Sequence, residues 1–335
     1  MRKSRLTEVS SVLFDPAYSN CLIVTHVRPD GDAIGSLLAL RLVLLSRGKR
    51  VVAFCEDPVP NNLGFLPGSD RIVHSVMDVS EFDVVVFVDC GAPDRAGRSI
   101  TPEKLAGTLT VNIDHHVAEN PFGDVYWVDR EFSSTCEMLY EIFRQKGLEF
   151  TPDVATCLYT GILTDTGSFQ FSNTTGRVLR IASSLVECGA DPRAISENVF
   201  ESATPQRLIL LGKMLDTLRY HANYRIASAR LTQAMLQETA ATTMDSEGFV
   251  NMLRQVKTVR VGVLFREDRD RRIHVGLRSK GAVDVARFAK MFGGGGHVHA
   301  AACRLDGSIE DVEKLIIPAL ENYIMETEVQ EGQVS

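Results

Sequence analysis

Seven residues, His26-Val27-Arg28-Pro29-Asp30-Gly31-Asp32, place one imidazole and two carboxylates directly after the apolar run Cys21-Leu22-Ile23-Val24. Pro29 and Gly31 disfavour a helix through the segment, so it reads as a tight loop leaving the end of a strand. Asp30 and Asp32 stand two apart, the spacing that points side chains the same way in extended backbone. A loop that gathers acids is costly to fold unless something neutralises them. A divalent metal ion does so.

Three further clusters fit the same chemistry. Asp89 ends the run Val84-Val85-Val86-Phe87-Val88, and Asp114-His115-His116 ends Leu109-Thr110-Val111-Asn112-Ile113. Asp165 lies within Gly161-Ile162-Leu163-Thr164-Asp165-Thr166-Gly167. In the first three clusters an apolar strand delivers an acid or an imidazole to its C-terminal end, the edge where sites form in open parallel sheets. Asp30, Asp32, Asp89 and Asp165 carry four negative charges that two divalent cations would cancel. Carboxylates mixed with imidazole suit manganese, with a sulfur-free zinc site as the other option. Two such ions about 3.5–4 Å apart hold a bridging water as hydroxide and clamp a phosphoryl group for in-line attack. An isolated aspartate at a strand end is ordinarily a cap or turn residue, and Asp94, Asp124 and Asp129 read that way. His74 and His221 read as surface or packing residues. The joint occurrence of the clusters carries the metal reading.

The elements that must position these residues follow from periodicity. Strands are predicted over 21–25, 51–55, 83–89 and 108–114, alternating with helices over 33–47, 134–146, 152–163 and 175–188. That alternation predicts an α/β fold with a mostly parallel sheet and helices on both faces. After Asp191 the pattern turns helical, with Pro192 and Pro205 as helix starts. A second, smaller α/β unit follows, with strands near 224–231, 257–266 and 271–278 and helices over 284–291 and 309–323. Glu267-Asp268-Arg269-Asp270 reads as the hairpin turn between the last two strands. The expected division is 1–194 for the metal-bearing domain, 195–222 for a helical connector, 223–328 for the second domain and 329–335 for a frayed tail.

The totals bound the partners. The chain has 335 residues, 44% apolar and 24% charged, which suits a folded protein of two domains. Its net charge of −7 disfavours long duplex DNA and anionic membrane, while leaving room for a local basic pocket. No apolar run approaches the roughly 20 residues of a membrane span, and no signal-peptide core follows the basic start. Seven scattered cysteines without a CxxC pair read as buried thiols in a reducing compartment. A cytoplasmic location is expected.

His26 with Asp30-Gly31-Asp32, then Asp89, Asp114-His115-His116 and Asp165 resemble, in order and spacing, the motifs of the DHH phosphoesterase superfamily. Gly293-Gly294-Gly295-Gly296-His297 resembles the glycine-rich signature of the associated DHHA1 domain. The resemblance implies that His26, Asp30 and Asp89 hold one metal ion. It implies that Asp32, Asp89, His115 and Asp165 hold the other, with Asp89 as the bridge. His116 becomes a substrate-facing catalytic group that stabilises charge or protonates the leaving oxygen, and Asp114 is expected to orient His115 or its loop. Gly294, Gly295, Gly296 and His297, with Arg278 and Ser279 and also Lys280, are implied as phosphate or nucleotide contacts. The active site is expected in the cleft between the two domains.

The compact layout resembles the NrnA-type members. These imply a manganese-dependent enzyme that degrades very short RNA oligonucleotides and removes the 3′-phosphate of adenosine 3′,5′-bisphosphate. Alternatives are a phosphodiesterase for linear dinucleotides such as pApA or pGpG, and a non-catalytic nucleotide-binding regulator. The expected partners are short RNA and small nucleotides, and a homodimer is expected by analogy. Tyr159, Phe169 and Phe171, near Asp165, are either base-stacking or core residues.

Overall fold

Short runs rich in valine and isoleucine form the sheet of the first unit, because β-branched side chains suit pleated backbone buried on both faces. The computed structural model describes residues 2–116, 121–268 and 270–332, and divides into the units Met1–Ser202 and Ala203–Ser335. In the first unit, β1 (Asn20–Val24), β2 (Arg50–Phe54), β3 (Val84–Val88), β4 (Leu109–Asp114) and β5 (Val125–Val128) are all parallel, in the order β2-β1-β3-β4-β5. Every residue of the central β3 is buried.

The helices of this unit are α1 (Arg2–Phe14), α2 (Gly31–Ser46), the single-turn α3 (Pro102–Leu105), α4 (Thr135–Gln145), α5 (Pro152–Asp165), α6 (Gly176–Glu187) and α7 (Pro192–Phe200). The longer ones pack on one face, where Ile23, Val86 and Val111 meet Leu13, Leu37, Leu139 and Leu158. The other face, with Leu22, Val24, Val85 and Phe87, is closed by Val79, Ala96, Ile100 and Leu105 of α3. The predicted strands and helices lie where expected to within a few residues; α1 and β5 were not expected. Among the described apolar residues of α1 only Val9 and Leu13 are fully buried, too few to mark a helical period, and β5 is just four residues long.

α2 and α5 approach backbone to backbone. A Cβ at Gly31 would overlap Thr164, and one at Gly161 would overlap Cys136 and come within 2.7 Å of Asp32 Oδ1. These glycines bring the start of α2 against the end of α5, which draws the Asp30–Asp32 segment towards Asp165.

The second unit carries α8 (Pro205–Leu215), β6 (Arg219–His221), β7 (Ile226–Leu231), α9 (Gln233–Glu238), α10 (Phe249–Leu253), β8 (Val261–Glu267), β9 (Arg272–Ser279), α11 (Val285–Lys290), β10 (Gly295–His297), β11 (Ala300–Asp306) and α12 (Ile309–Gly332). Its sheet runs β10-β11-β9-β8-β7-β6, antiparallel except for the β7–β8 pair. One face packs Val263, Phe265, Val275 and Leu277 against Phe288, Ile316 and Leu320; Leu210, Met214, Phe249 and Leu264 form a second cluster.

β8 and β9 form the expected hairpin, closed where Asp268 N–H donates to Arg272 O at 2.8 Å, although Arg269 in its turn lies outside the described residues. Residues 195–222 contribute most of α7 to the first unit, and α8 and β6 to the second. α12 continues to Gly332, beyond the predicted end at 323, and residues 333–335 lie outside the described ones. Among the described residues no helix is long and apolar enough to cross a membrane.

Candidate metal centre

Strand ends and two helix starts set the site. His26 follows β1; its buried ring places Nδ1 2.9 Å from Val27 O, so Nδ1–H donates there and Nε2 faces Asp89 Oδ2 at 3.4 Å. Asp30, exposed to solvent, caps α2, its Oδ1 accepting from Asp32 N–H and Ala33 N–H, both at 3.1 Å. Asp32 is fully buried in the first turn of α2 and accepts from Thr135 N–H at 2.6 Å and Cys136 N–H at 2.9 Å, two donors at the start of α4. Asp89, just past β3, is left-handed at φ 55, a strained conformation for a residue with a side chain. Its N–H donates to Ile113 O at 3.0 Å, which holds the turn. Asp165 is the last residue of α5, so a helix end supplies the fourth cluster.

His115 collects the acids. Its Nε2 stands 2.9 Å from Asp165 Oδ2, 3.5 Å from Asp89 Oδ1 and 3.8 Å from Asp32 Oδ2. Among the described residues, three groups have ligand atoms within 4.8 Å of one another: His26, Asp30 and Asp89; Asp32, His115 and Asp165; and Asp89, His115 and His116. Asp89 stands in two of them. All six residues expected as metal ligands are thus brought together.

Electrostatics test whether metal fits. Burial alone would lower the pKa of His115, yet Asp165 and Asp89 raise it to about 12. Burial pushes Asp165 up to about 6, and burial with the charges of Asp89 and Asp165 pushes Asp32 well above the usual carboxylate range. Against its own burial, Asp89 is held well below that range by His115 and His26. Such opposed shifts arise where carboxylates crowd together and compete for positive charge. His115 Nε2 is buried without a hydrogen-bond partner of proper geometry, despite the nearby acids. A nitrogen aimed at a shared centre rather than at one oxygen fits coordination.

His116 stands at the edge of this set, its Nδ1 3.6 Å from Asp89 Oδ1. Its Nδ1 lies 2.7 Å from Asp114 Oδ1, which also accepts its backbone N–H at 3.2 Å, and its ring lies 4.6 Å from that of His115. Asp114 therefore orients His116; the expectation that it orients His115 or the loop is corrected in its first part. The second imidazole, not the first, reaches this carboxylate. Burial would lower the pKa of His116, but the Asp114 hydrogen bond and the charges of Asp89 and Asp114 together raise it.

Thr135 was not singled out from sequence. Its hydroxyl donates to Asp89 Oδ1 at 3.2 Å while its N–H serves Asp32, so one residue fixes two acids. The only signal was Ser134-Thr135 before a helix, with Glu137 three residues after Ser134, a pattern that announces a cap. Buried Glu137 accepts from Ser133 N–H and from Arg177 Nε, both at 2.6 Å, and secures that turn. Thr135→Val keeps the N–H and removes the hydroxyl. It is expected to weaken metal binding about tenfold in calorimetric titration, with Thr135→Ser near wild type; unchanged affinity in Thr135→Val would remove the residue from the site.

In the second unit, half-buried Arg278 on β9 forms no ion pair among the described residues, its Nη1 donating to Leu277 O at 3.0 Å. Ser279 is corrected as a contact: it is fully buried, donates to Val283 O at 2.6 Å and lies 3.0 Å from His299 Nδ1, bracing the turn. Lys280 donates its ammonium to Arg254 O and Val256 O. The glycine run supplies β10, although glycine is disfavoured in strands. Gly294 and Gly296 lie so close to β11 that a Cβ on either would overlap the carbonyls of Ala302 and Ala300, so absence of a side chain permits the pairing. Gly295 borders open space. The side chain of His297 lies outside the described residues.

Comparison with known proteins finds the model of the DHH family, N-terminal domain, over residues 20–162 and the DHHA1 domain over residues 224–326. The chain is 36% identical over 306 residues to the bifunctional oligoribonuclease and PAP phosphatase NrnA of Thermus thermophilus, covering 91% of this chain and 89% of that one. It is 28% identical to the NrnA of Bacillus subtilis, covering 89% and 95% respectively. An exopolyphosphatase-related protein from Bacteroides fragilis has the same fold, with a TM-score of 0.90 at 30% identity over 97% of this chain and 98% of that one.

Proposed function

The chain belongs to the DHH/DHHA1 phosphoesterase family, and from that membership we propose that it is a cytoplasmic, manganese-dependent enzyme that hydrolyses very short RNA oligonucleotides to mononucleotides and adenosine 3′,5′-bisphosphate to AMP. The observation that carries the reading is Asp89, buried between His26 on one side and His115 on the other, with ligand groups reaching both ways. His26, Asp30 and Asp89 would hold one divalent ion, and Asp32, Asp89, His115 and Asp165 the second. When bound, two such ions activate water and offset the charge of a phosphoryl group.

The side chains have separate tasks. Asp32 and Asp89, oriented by the start of α4, keep their lone pairs aimed at the centre. His116, with Nδ1 fixed by Asp114, keeps Nε2 for proton donation to the leaving oxygen, and it is about one-third exposed, as a group that meets substrate must be. Arg278 offers a planar cation for a phosphate. The names of the 36% and 28% identical relatives support both substrates, and the net charge of −7 favours a short one.

With manganese, the protein is expected to convert RNA of two to five nucleotides to mononucleotides and to release phosphate from the bisphosphate. Turnover of pApA beside other dinucleotides separates a general activity from one dedicated to signal-derived dinucleotides. If both the short RNA and the bisphosphate stay intact, the reading fails.

A further inference from the structure

The segment from Asp165 to Asn173 is a closed loop mounted on a proposed metal ligand. Asn173 Nδ2 donates to Asp165 O at 3.1 Å and to Ser133 O at 3.3 Å, tying the loop's two ends together. Thr166 organises its interior: its carbonyl accepts from Gln170 N–H and Phe171 N–H, both at 2.9 Å, and its hydroxyl accepts from Phe169 N–H at 3.1 Å. Gly167, Ser168 and Phe169 are consecutively left-handed, at φ 56, 59 and 62. Residues with side chains ordinarily adopt that conformation singly and at a cost, so the surroundings impose it here.

The three aromatic residues near Asp165 divide. Tyr159 is buried on α5 and meets Phe169 edge-on at 6.0 Å between ring centroids, and both belong to the core. Phe171 is 53% exposed. Its ring sits directly over Gly167, where a Cβ would overlap it. A tied loop in an unfavourable conformation thus holds a large apolar ring at the surface, six residues after the proposed metal ligand Asp165, although burying that ring would be favourable.

The geometry points to Phe171 as a stacking platform for a nucleobase flanking the scissile phosphate. Every base presents a π-face, so stacking accepts any sequence, as degradation of mixed short oligonucleotides requires. The left-handed turn aims the ring, Gly167 seats it, and the Asn173 tie fixes its distance from Asp165. This platform rests on the proposed action on nucleotides.

The test compares a diribonucleotide with two analogues, each lacking one base. Wild-type kcat/KM is expected to fall about 10- to 100-fold when the stacked base is removed. Phe171→Ala should slow the intact dinucleotide to a similar extent and erase that difference, while Phe171→Tyr retains it. Equal slowing of intact and base-free substrates by Phe171→Ala, or no effect on either, would overturn the platform. A binding readout separates its failure from failure of the proposed activity. The chain has one tryptophan, Trp127, which is 2% exposed, so Phe171→Trp adds a surface fluorophore. Its added emission should be quenched by AMP and not by ribose 5-phosphate; equal responses to the two would overturn the platform, whether or not the dinucleotide is cleaved.

Discussion

Asp89→Asn is expected to lose both metal ions and to lower turnover about 10³-fold or more, because removing this charge forfeits several kcal/mol of stabilisation. The side chain is fully enclosed and stands between His26 and His115. Asparagine keeps the shape, so the Thr135 hydroxyl still has an oxygen to bond and the left-handed turn is retained. Only the shared charge disappears. Metal content by atomic emission and hydrolysis of a dinucleotide should fall together. A variant that retains two ions per chain would show that Asp89 is not their bridge.

His116→Ala is the complementary case, because it should separate chemistry from metal. The ring is fixed by Asp114 at 2.7 Å and is about one-third exposed, whereas His26 and Asp32 are buried. Removing it should leave metal content intact and lower kcat by about 10²–10⁴-fold, the scale of a lost acid–base group. The loss should be smaller on a substrate whose leaving group is a good one, such as a nitrophenolate, since that oxygen departs without a proton. Metal loss in His116→Ala would instead place it among the ligands, with Asp89 and His115 beside it. An equal loss on both substrates would argue against proton donation.

Ligand chemistry made much of this centre legible in the chain. One aspartate at a strand end is ordinarily a cap, but acids and histidines at several strand ends together marked the clusters, and the family resemblance picked His26, Asp30, Asp32, Asp89 and His115 from them as ligands. Asp165 could be named but not placed, because the close packing of Gly31 against the Thr164 side chain, which sets the start of α2 beside the end of α5, is a tertiary contact. Thr135 escaped for a related reason. A hydroxyl at a helix start ordinarily satisfies its own backbone, and its bond to Asp89 joins residues 46 apart.

Asp114 was expected to orient His115 or its loop, and local sequence could not show that it holds His116 instead. Two adjacent histidines are both within reach, and the turn after β4 selects His116. In the second unit, the family resemblance implied Ser279 as a contact, yet tertiary packing buries it with its hydroxyl bonded to backbone. The glycine run forms a strand against the usual cost of glycine there, because β11 lies too close for any side chain on Gly294 or Gly296. Tyr159, Phe169 and Phe171 could not be sorted from spacing alone; burial separates the first two from the third.

The central claim is that two metal ions share Asp89, and anomalous diffraction from crystals grown with manganese tests it most directly. Two manganese peaks about 3.5–4 Å apart are expected, with Asp89 touching both, His26 and Asp30 on one, and Asp32, His115 and Asp165 on the other. A single peak, or two peaks that do not share Asp89, would contradict the account.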